Sequence, residues 1–144
     1  MNNFKDFEKY ITKVTNKQWQ HLFDLIPNIS KAKTFGSQSK IENYPDGSFT
    51  MPHIIPSKVV SEFHNLVYDI GIVQSFDWSG WEEGKKLLKN PDSNYNKLDI
   101  VTLCKLITTI IRADRFNEGF LVSCFEKGIV LKIILALRRK INTN

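Results

Sequence analysis

The sequence predicts a mainly α-helical fold, a compact single-domain bundle of about six helices with one irregular loop or short hairpin segment at about 28–56. Apolar residues recur at helical spacing over most of the chain, and residues that begin or end helices separate these stretches. The chain has 144 residues, of which 42% are hydrophobic. We therefore expect residues 1–144 to form one domain whose core needs no disulfide or metal to hold it.

Two helices are predicted before the irregular segment. Apolar side chains repeat at helical spacing through residues 3–15, and they repeat again from Gln18 onward. Pro27 is expected to end the second helix, because proline disfavours the helical conformation of the residue before it.

The segment 28–56 is the least regular part of the chain. It contains three prolines and two glycines, and the Tyr-Pro-Asp-Gly sequence at 44–47 is typical of a type I turn. A structureless loop of this length is uncommon in a compact domain, so we expect either a hairpin or a mobile lid. Its apolar residues predict that it packs partly against the helix expected to carry Trp78 and Trp81.

Capping residues mark the next helices. Ser57 has the chemistry that begins a helix, and Gly71 has the conformational freedom that closes one. Asp77 is expected to cap a helix in which Trp78 and Trp81, three residues apart, share one face.

The C-terminal third is predicted to contain three helices. Asp99 begins the first, Asn117 is expected to cap a short second one, and Gly128 stops it. The final helix ends among basic residues: residues 129–144 carry four Lys or Arg and no acid. Cations in the last turn of a helix complement its dipole, which explains this charge without a ligand.

The stretch from Arg112 to Glu118, here named the arginine corner, concentrates charge between two apolar segments. The chain has 16 lysines and 4 arginines, and two of the arginines lie here beside Asp114 and Glu118. On one continuous helix these four residues would form like-charge neighbours. The sequence therefore predicts a helix break with arginine–acid pairs, in which Glu118 accepts a hydrogen bond from Arg112 or Arg115. Such a corner is either a structural clasp or an anion-binding or catalytic site.

Three elements carry a resemblance to a known family. They are Asp-Gly-x-x-x-Met-Pro at 46–52, Phe-Asp-Trp-Ser-Gly-Trp at 76–81, and the run at 106–119 that ends in Asp-Arg-Phe-Asn-Glu-Gly. The chain resembles a family of small bacterial proteins known as the domain of unknown function numbered 6508, over roughly 44–140. Asn117 departs from the pattern, in which a small residue such as cysteine is expected. The resemblance implies a bacterial source and supplies no activity.

Three hypotheses of function follow. We favour a non-enzymatic cytoplasmic interaction or regulatory module that contacts another protein through the 28–56 segment and the region of Trp78 and Trp81. The first alternative is a small enzyme or anion-binding domain at the arginine corner, with candidate residues Arg112, Asp114, Arg115 and Glu118. The second alternative is a weakly nucleic-acid-associated protein that uses the basic C-terminal end.

Other classes of protein find no support in the sequence. The three histidines are scattered and no glycine-rich phosphate loop is present, so we expect no metal, no cofactor and no catalytic set. Cys104 and Cys124 lie in apolar patterns and are expected to be reduced core thiols. Apolar runs fall well short of the roughly 20 residues of a membrane span, and the N-terminus lacks the apolar core of a signal peptide. We therefore expect a cytoplasmic protein.

Overall fold

The structure is a computed structural model that describes residues 4–90 and 92–142. This part of the chain contains eight α-helices and one small two-stranded antiparallel sheet. In chain order the elements are α1 (Phe4–Ile11), α2 (Asn16–Phe23), α3 (Ile26–Lys31), β1 (Gly36–Gln38), β2 (Ile54–Pro56), α4 (Lys58–Asp69), α5 (Glu82–Lys89), α6 (Ile100–Asp114), α7 (Phe120–Glu126) and α8 (Ile129–Asn142), with a 3-10 turn at Tyr95–Lys97 before α6. The prediction of a mainly α-helical protein is confirmed.

Helix α6 is the centre of the molecule. All of its side chains from Leu103 to Ile111 are buried, and α1, α5, α7 and α8 pack around it. Asp99 caps it as predicted, accepting from the backbone N–H of Thr102 at 2.7 Å. The buried hydroxyl of Thr108 donates to the carbonyl of Ile72 at 3.0 Å, so burying it leaves no unmade hydrogen bond.

The N-terminal helices differ from the prediction at Pro27. Helix α2 begins with a capping box, in which Thr15 and Gln18 each accept from the other's backbone N–H, and it already ends at Phe23. Pro27 lies in the first turn of α3 and so helps to begin a helix rather than to end one. Proline is tolerated there because the first turn of a helix leaves its N–H groups without intrahelical partners.

The two tryptophans lie outside a helix, contrary to the prediction. The Asp77 side chain accepts from the N–H of Gly80 at 3.2 Å and from the hydroxyl of Ser79 at 3.3 Å. This local turn satisfies Asp77 before a helix can begin. Helix α5 therefore starts at Glu82, with Trp81 as its N-terminal flanking residue, and Trp78 shares no helix face with Trp81.

Residues 36–56 form a β-hairpin, here named the hairpin arm. Gly36 pairs with Pro56 at its base and Asn43 pairs with Phe49 near its tip. Seven residues separate the two pairs on either side of the hairpin, so the pairing register at the base and at the tip is the same. The tip is closed by a bond from the N–H of Gly47 to the carbonyl of Tyr44 at 3.0 Å, as the turn sequence predicts.

The base of the hairpin arm rests on α7. A Cβ atom at Gly36 would lie 2.9 Å from Cγ1 of Val122, so only glycine permits this approach. Ile54 lies over Gly119, just before α7. Residues 28–56 were expected to pack partly against the helix predicted to carry Trp78 and Trp81, but the six apolar side chains on which that prediction rests are all exposed, Phe49 at 55% and Met51 at 71%. That prediction is wrong, because the apolar content of a segment does not say which surface will cover it.

Among residues 4–90 and 92–142, none of the helices combines the length and the hydrophobicity that a membrane-spanning helix requires.

Candidate functional site

The arginine corner joins α6 to α7 through a tight backbone turn. The N–H groups of Phe116 and Asn117 both donate to the carbonyl of Ala113 at 3.0 Å, which closes α6. Gly119 then has φ +85°, a left-handed conformation that costs other residues energy. The helix break that the charge pattern predicts is therefore present.

The two acids of the corner bind backbone N–H groups. Asp114 Oδ1 accepts from the N–H of Leu121 at 2.9 Å and so caps the first turn of α7. Glu118 Oε1 accepts from the N–H of Ile54 and ties the corner to the hairpin arm. The cap predicted for Asn117 is wrong, since what Asn117 offers α7 is its backbone carbonyl, to the N–H of Phe120.

The two arginines of the corner meet at Tyr68 on α4. Arg115 Nη2 donates to the Tyr68 hydroxyl at 3.2 Å, and the Arg112 guanidinium carbon lies 6.0 Å from the centre of the Tyr68 ring. Neither has a carboxylate within 4.0 Å among residues 4–90 and 92–142. The prediction that Glu118 accepts from an arginine is therefore wrong. A fixed N–H donor satisfies a carboxylate without ordering a second long side chain, which exposed ion pairs require.

The arginines and Trp78, which lie far apart in sequence, line one cleft. Its volume is about 310 Å³, and its lining residues are Ser75, Phe76, Trp78, Arg112, Arg115 and Phe116. We name it the arginine cleft. The Phe116 ring is 81% exposed and stacks on Trp78, with ring centres 5.9 Å apart and planes at 27°. Of the predicted site residues, the structure thus brings together Arg112, Arg115 and Trp78, while Asp114, Glu118 and Trp81 do not line the cleft.

Trp78 also forms one wall of a second recess, of about 290 Å³. Its other lining residues are apolar, small or basic, namely Leu88, Thr109, Ala113, Phe120, Lys85, Lys89 and Lys127. Lys85 pairs with Glu82 at 3.4 Å. Trp78 therefore lines both a recess that contains lysines and the cleft that contains the two arginines.

Trp81 packs against a buried lysine side chain. The ammonium group of Lys105, on α6, lies 4.7 Å from the ring centres of both Trp81 and Phe76, and the residue is fully buried. Burial lowers the pKa of Lys105, while the negative charges of Asp99 and Glu83 partly oppose that shift. Lys105 is absent from the predicted site residues. The available signal was its position as the single charged residue between Asp99 and Arg112.

Both cysteines are reduced core residues, as predicted. Cys104 and Cys124 are free thiols and both are buried. Burial raises the pKa of Cys104 above the ordinary range and that of Cys124 to about 12. Thiols with such pKa values carry almost no thiolate at neutral pH and are therefore poor nucleophiles.

The hairpin arm carries most of the exposed apolar surface. Of the eight large apolar side chains that are exposed in the described residues, six lie on the arm, namely Ile41, Tyr44, Phe49, Met51, Ile54 and Ile55. The other two are Tyr10 on α1 and Phe116 in the arginine cleft. The arm is therefore a second candidate site, distinct in chemistry from the cleft.

Comparison with known proteins gives a family and no activity. No curated protein and no solved structure matches the chain. The model of the Family of unknown function (DUF6508) matches residues 14–143, so the similarity extends further toward the N-terminus than the motifs at 46–119 indicate. The chain belongs to this family.

Proposed function

We propose that the protein is a non-enzymatic interaction module of the bacterial cytoplasm that binds another protein through its hairpin arm. The observation that carries the proposal is the concentration of six exposed large apolar side chains between residues 41 and 55. Proteins that act alone keep contiguous apolar surface small, and larger exposed patches mark interaction sites.

The chemistry of the hairpin arm indicates an extended, apolar partner segment. Its two strands pair with each other, so the outer edge of β1 has backbone groups available for a further strand, whereas on β2 the N–H of Ile54 is already bound to Glu118. Residues 36–56 contain one lysine and two acids, so the arm offers little charge to attract a polyanion. Met51, 71% exposed, adds a flexible side chain that adapts to different apolar surfaces.

The hairpin arm is held ready for binding at its base. Glu118 accepts from the N–H of Ile54, and Gly36 lies directly against Val122 of α7. Phe35, just before the arm, packs on Phe125 with ring centres 5.3 Å apart. A fixed base lowers the ordering entropy that a partner would otherwise have to offset on binding.

Site-specific photocrosslinking tests the proposal. A photoreactive phenylalanine analogue replaces Phe49 in cells of the organism that encodes the protein, and the same analogue replaces Tyr10 as a matched control. Tyr10 is 46% exposed and Phe49 55%, so the two positions offer similar access. We expect one discrete adduct with a different protein at position 49 and no such adduct at position 10.

The partner found in this way is then purified and its affinity measured. We expect the double variant Phe49→Ser/Met51→Ser to bind at least about tenfold more weakly than wild type, because two apolar anchors are lost. Tyr10→Ser should bind as wild type does. An adduct between two copies of this chain, or equal labelling at both positions, would contradict the proposal.

A further inference from the structure

We infer that the arginine cleft binds a small organic anion that carries one phosphate or carboxylate group and one planar ring. This ligand site is separate from the hairpin arm and independent of the protein-binding role proposed for it. The inference rests on three features of the cleft: its two guanidinium groups, its exposed aromatic stack and its volume.

The guanidinium groups are available to a ligand. Within the described parts of the chain, neither Arg112 nor Arg115 has a carboxylate within 4.0 Å, and both instead contact Tyr68. The Tyr68 hydroxyl engages one N–H of Arg115, whereas a guanidinium has five N–H donors. Guanidinium groups bind carboxylates and phosphates through paired hydrogen bonds, which favours an oxyanion over a halide or a neutral group.

The exposed aromatic stack of Phe116 and Trp78 is the reason to expect a planar ring in the ligand. Phe116 is 81% exposed, the largest exposure among the exposed large apolar side chains described, although its other face lies against Trp78. An apolar ring left in water costs free energy that a stacked ligand ring would recover. Arg115 directly precedes Phe116 in the chain, so an anion bound to Arg115 lies beside the aromatic stack.

The volume limits the size of the ligand. At about 310 Å³ the cleft lies at the lower end of the range of small-molecule sites, about 300–1,000 Å³. A ligand with one ring system and one anionic group fits this space, whereas an extended polymer would lie mostly outside it. The exposed hydroxyl of Ser75 at the cleft offers one more hydrogen-bonding group.

Isothermal titration of the purified protein with four probes tests the inference. Adenosine monophosphate supplies a ring and a phosphate, and 1-naphthoate supplies a ring and a carboxylate. Adenosine supplies the ring alone, and inorganic phosphate supplies the anion alone. We expect at least one of the two ring-bearing anions to bind, and the ring and anion alone to bind at least about tenfold more weakly, because each loses one set of contacts. Which anion binds identifies the phosphate or carboxylate class.

Three variants localise the binding. Arg115→Gln and Phe116→Ser change exposed side chains and should fold normally, which circular dichroism verifies. Arg115→Gln should weaken both the ring-bearing anion and inorganic phosphate, about tenfold or more for the former. Phe116→Ser should weaken the ring-bearing anion and leave inorganic phosphate unchanged. Arg138→Gln removes the same charge from an exposed position on α8 and should change neither.

Four results would overturn the inference. The first is that neither ring-bearing anion binds at millimolar concentration, and the second is that adenosine binds as tightly as its monophosphate. The third is that Arg138→Gln weakens binding as much as Arg115→Gln, which would indicate attraction to net charge alone. The fourth is that an oligothymidylate binds where both small anions fail, which would make the cleft part of a nucleic-acid surface.

Discussion

Lys105 shows how a single charged residue shapes the centre of this protein. Its ammonium group lies 4.7 Å from two aromatic ring centres, and cation–π contacts of this kind contribute about 0.5–2 kcal/mol each. Gly84 on α5 makes room for one of these rings, since a Cβ there would overlap the Trp81 ring. Even so, burial lowers the pKa of Lys105, so the folded protein disfavours the charged form relative to water.

Replacing Lys105 by methionine should stabilise the protein. Lys105→Met shortens the side chain by one atom and removes a desolvated charge, and we expect the free energy of unfolding to rise at pH 7. Chemical denaturation of both proteins measures the difference. Lys86→Met, at an exposed position on α5, is the control and should change stability by no more than about 0.5 kcal/mol.

The effect of Lys105→Met should depend on pH with a defined sign. The pKa of Lys105 in the folded protein lies below its ordinary value of 10.5. Between these two values the unfolded chain binds more protons at this residue, so the stability of the wild type rises with pH there. The advantage of the methionine variant should therefore shrink as pH increases toward 10.5. A constant advantage across this interval would mean that the lysine is not destabilised by burial.

In the arginine corner, the sequence predicts the backbone but not the hydrogen-bond partners of the side chains. The concentration of two scarce arginines beside two acids correctly predicted a helix break. It did not predict the partners, because the N–H groups of Leu121 and Ile54 that take the acids come from elements placed by tertiary packing. The arginines consequently face Tyr68 and the cleft.

At the level of elements, α7 depends on a cap supplied from the preceding helix. Asp114, the last residue of α6, accepts from the N–H of Leu121 in the first turn of α7. Asp114→Ala should lower the free energy of unfolding by about 1–2 kcal/mol, the usual cost of removing a capping acceptor. Thermal unfolding followed by circular dichroism measures the loss.

Asn117→Ala is the matched control for the α7 cap. The sequence assigns the cap to Asn117, but the structure gives its exposed side chain no capping bond, and α7 receives only its backbone carbonyl. We expect a change of no more than about 0.5 kcal/mol. If Asn117→Ala proved as costly as Asp114→Ala, the assignment of the cap to Asp114 would be wrong.

Local signals predicted some elements and failed for others. Asp99, Gly71 and Gly128 act as expected, because an N-cap carboxylate and a left-handed glycine depend on neighbouring backbone alone. The predictions made from Pro27 and Asp77 were wrong because each residue fits two local structures. The sequence does not say which of the two the rest of the fold selects. Proline both ends helices and begins them, and aspartate caps both helices and turns.

At the level of the whole molecule, the fold separates a buried helical core from an exposed arm. The core cluster draws on all eight helices of residues 4–90 and 92–142, with α6 at its centre. The hairpin arm touches this core at its base, while its tip presents apolar side chains to solvent. Hydrophobic periodicity predicted the core well, since burial and periodicity have the same cause. The exposure of the arm was not predictable, because its composition resembles that of a buried segment.

This separation predicts that the outer part of the arm is dispensable for folding. Ser39 and His53 are paired by a bond from N–H to carbonyl at 2.8 Å, so a two-residue Asn-Gly turn in place of residues 40–52 should close a shorter hairpin. We expect the free energy of unfolding to change by no more than about 1 kcal/mol, because the large apolar side chains removed are exposed in the wild type.

Gly36→Ala is the contrasting change at the base, where the new Cβ would lie 2.9 Å from Cγ1 of Val122. It should cost about 1–3 kcal/mol through overpacking against α7. Urea denaturation of both variants decides: a loss of several kcal/mol on shortening the arm, with little effect of Gly36→Ala, would show that the arm's tip stabilises the core and that its base does not.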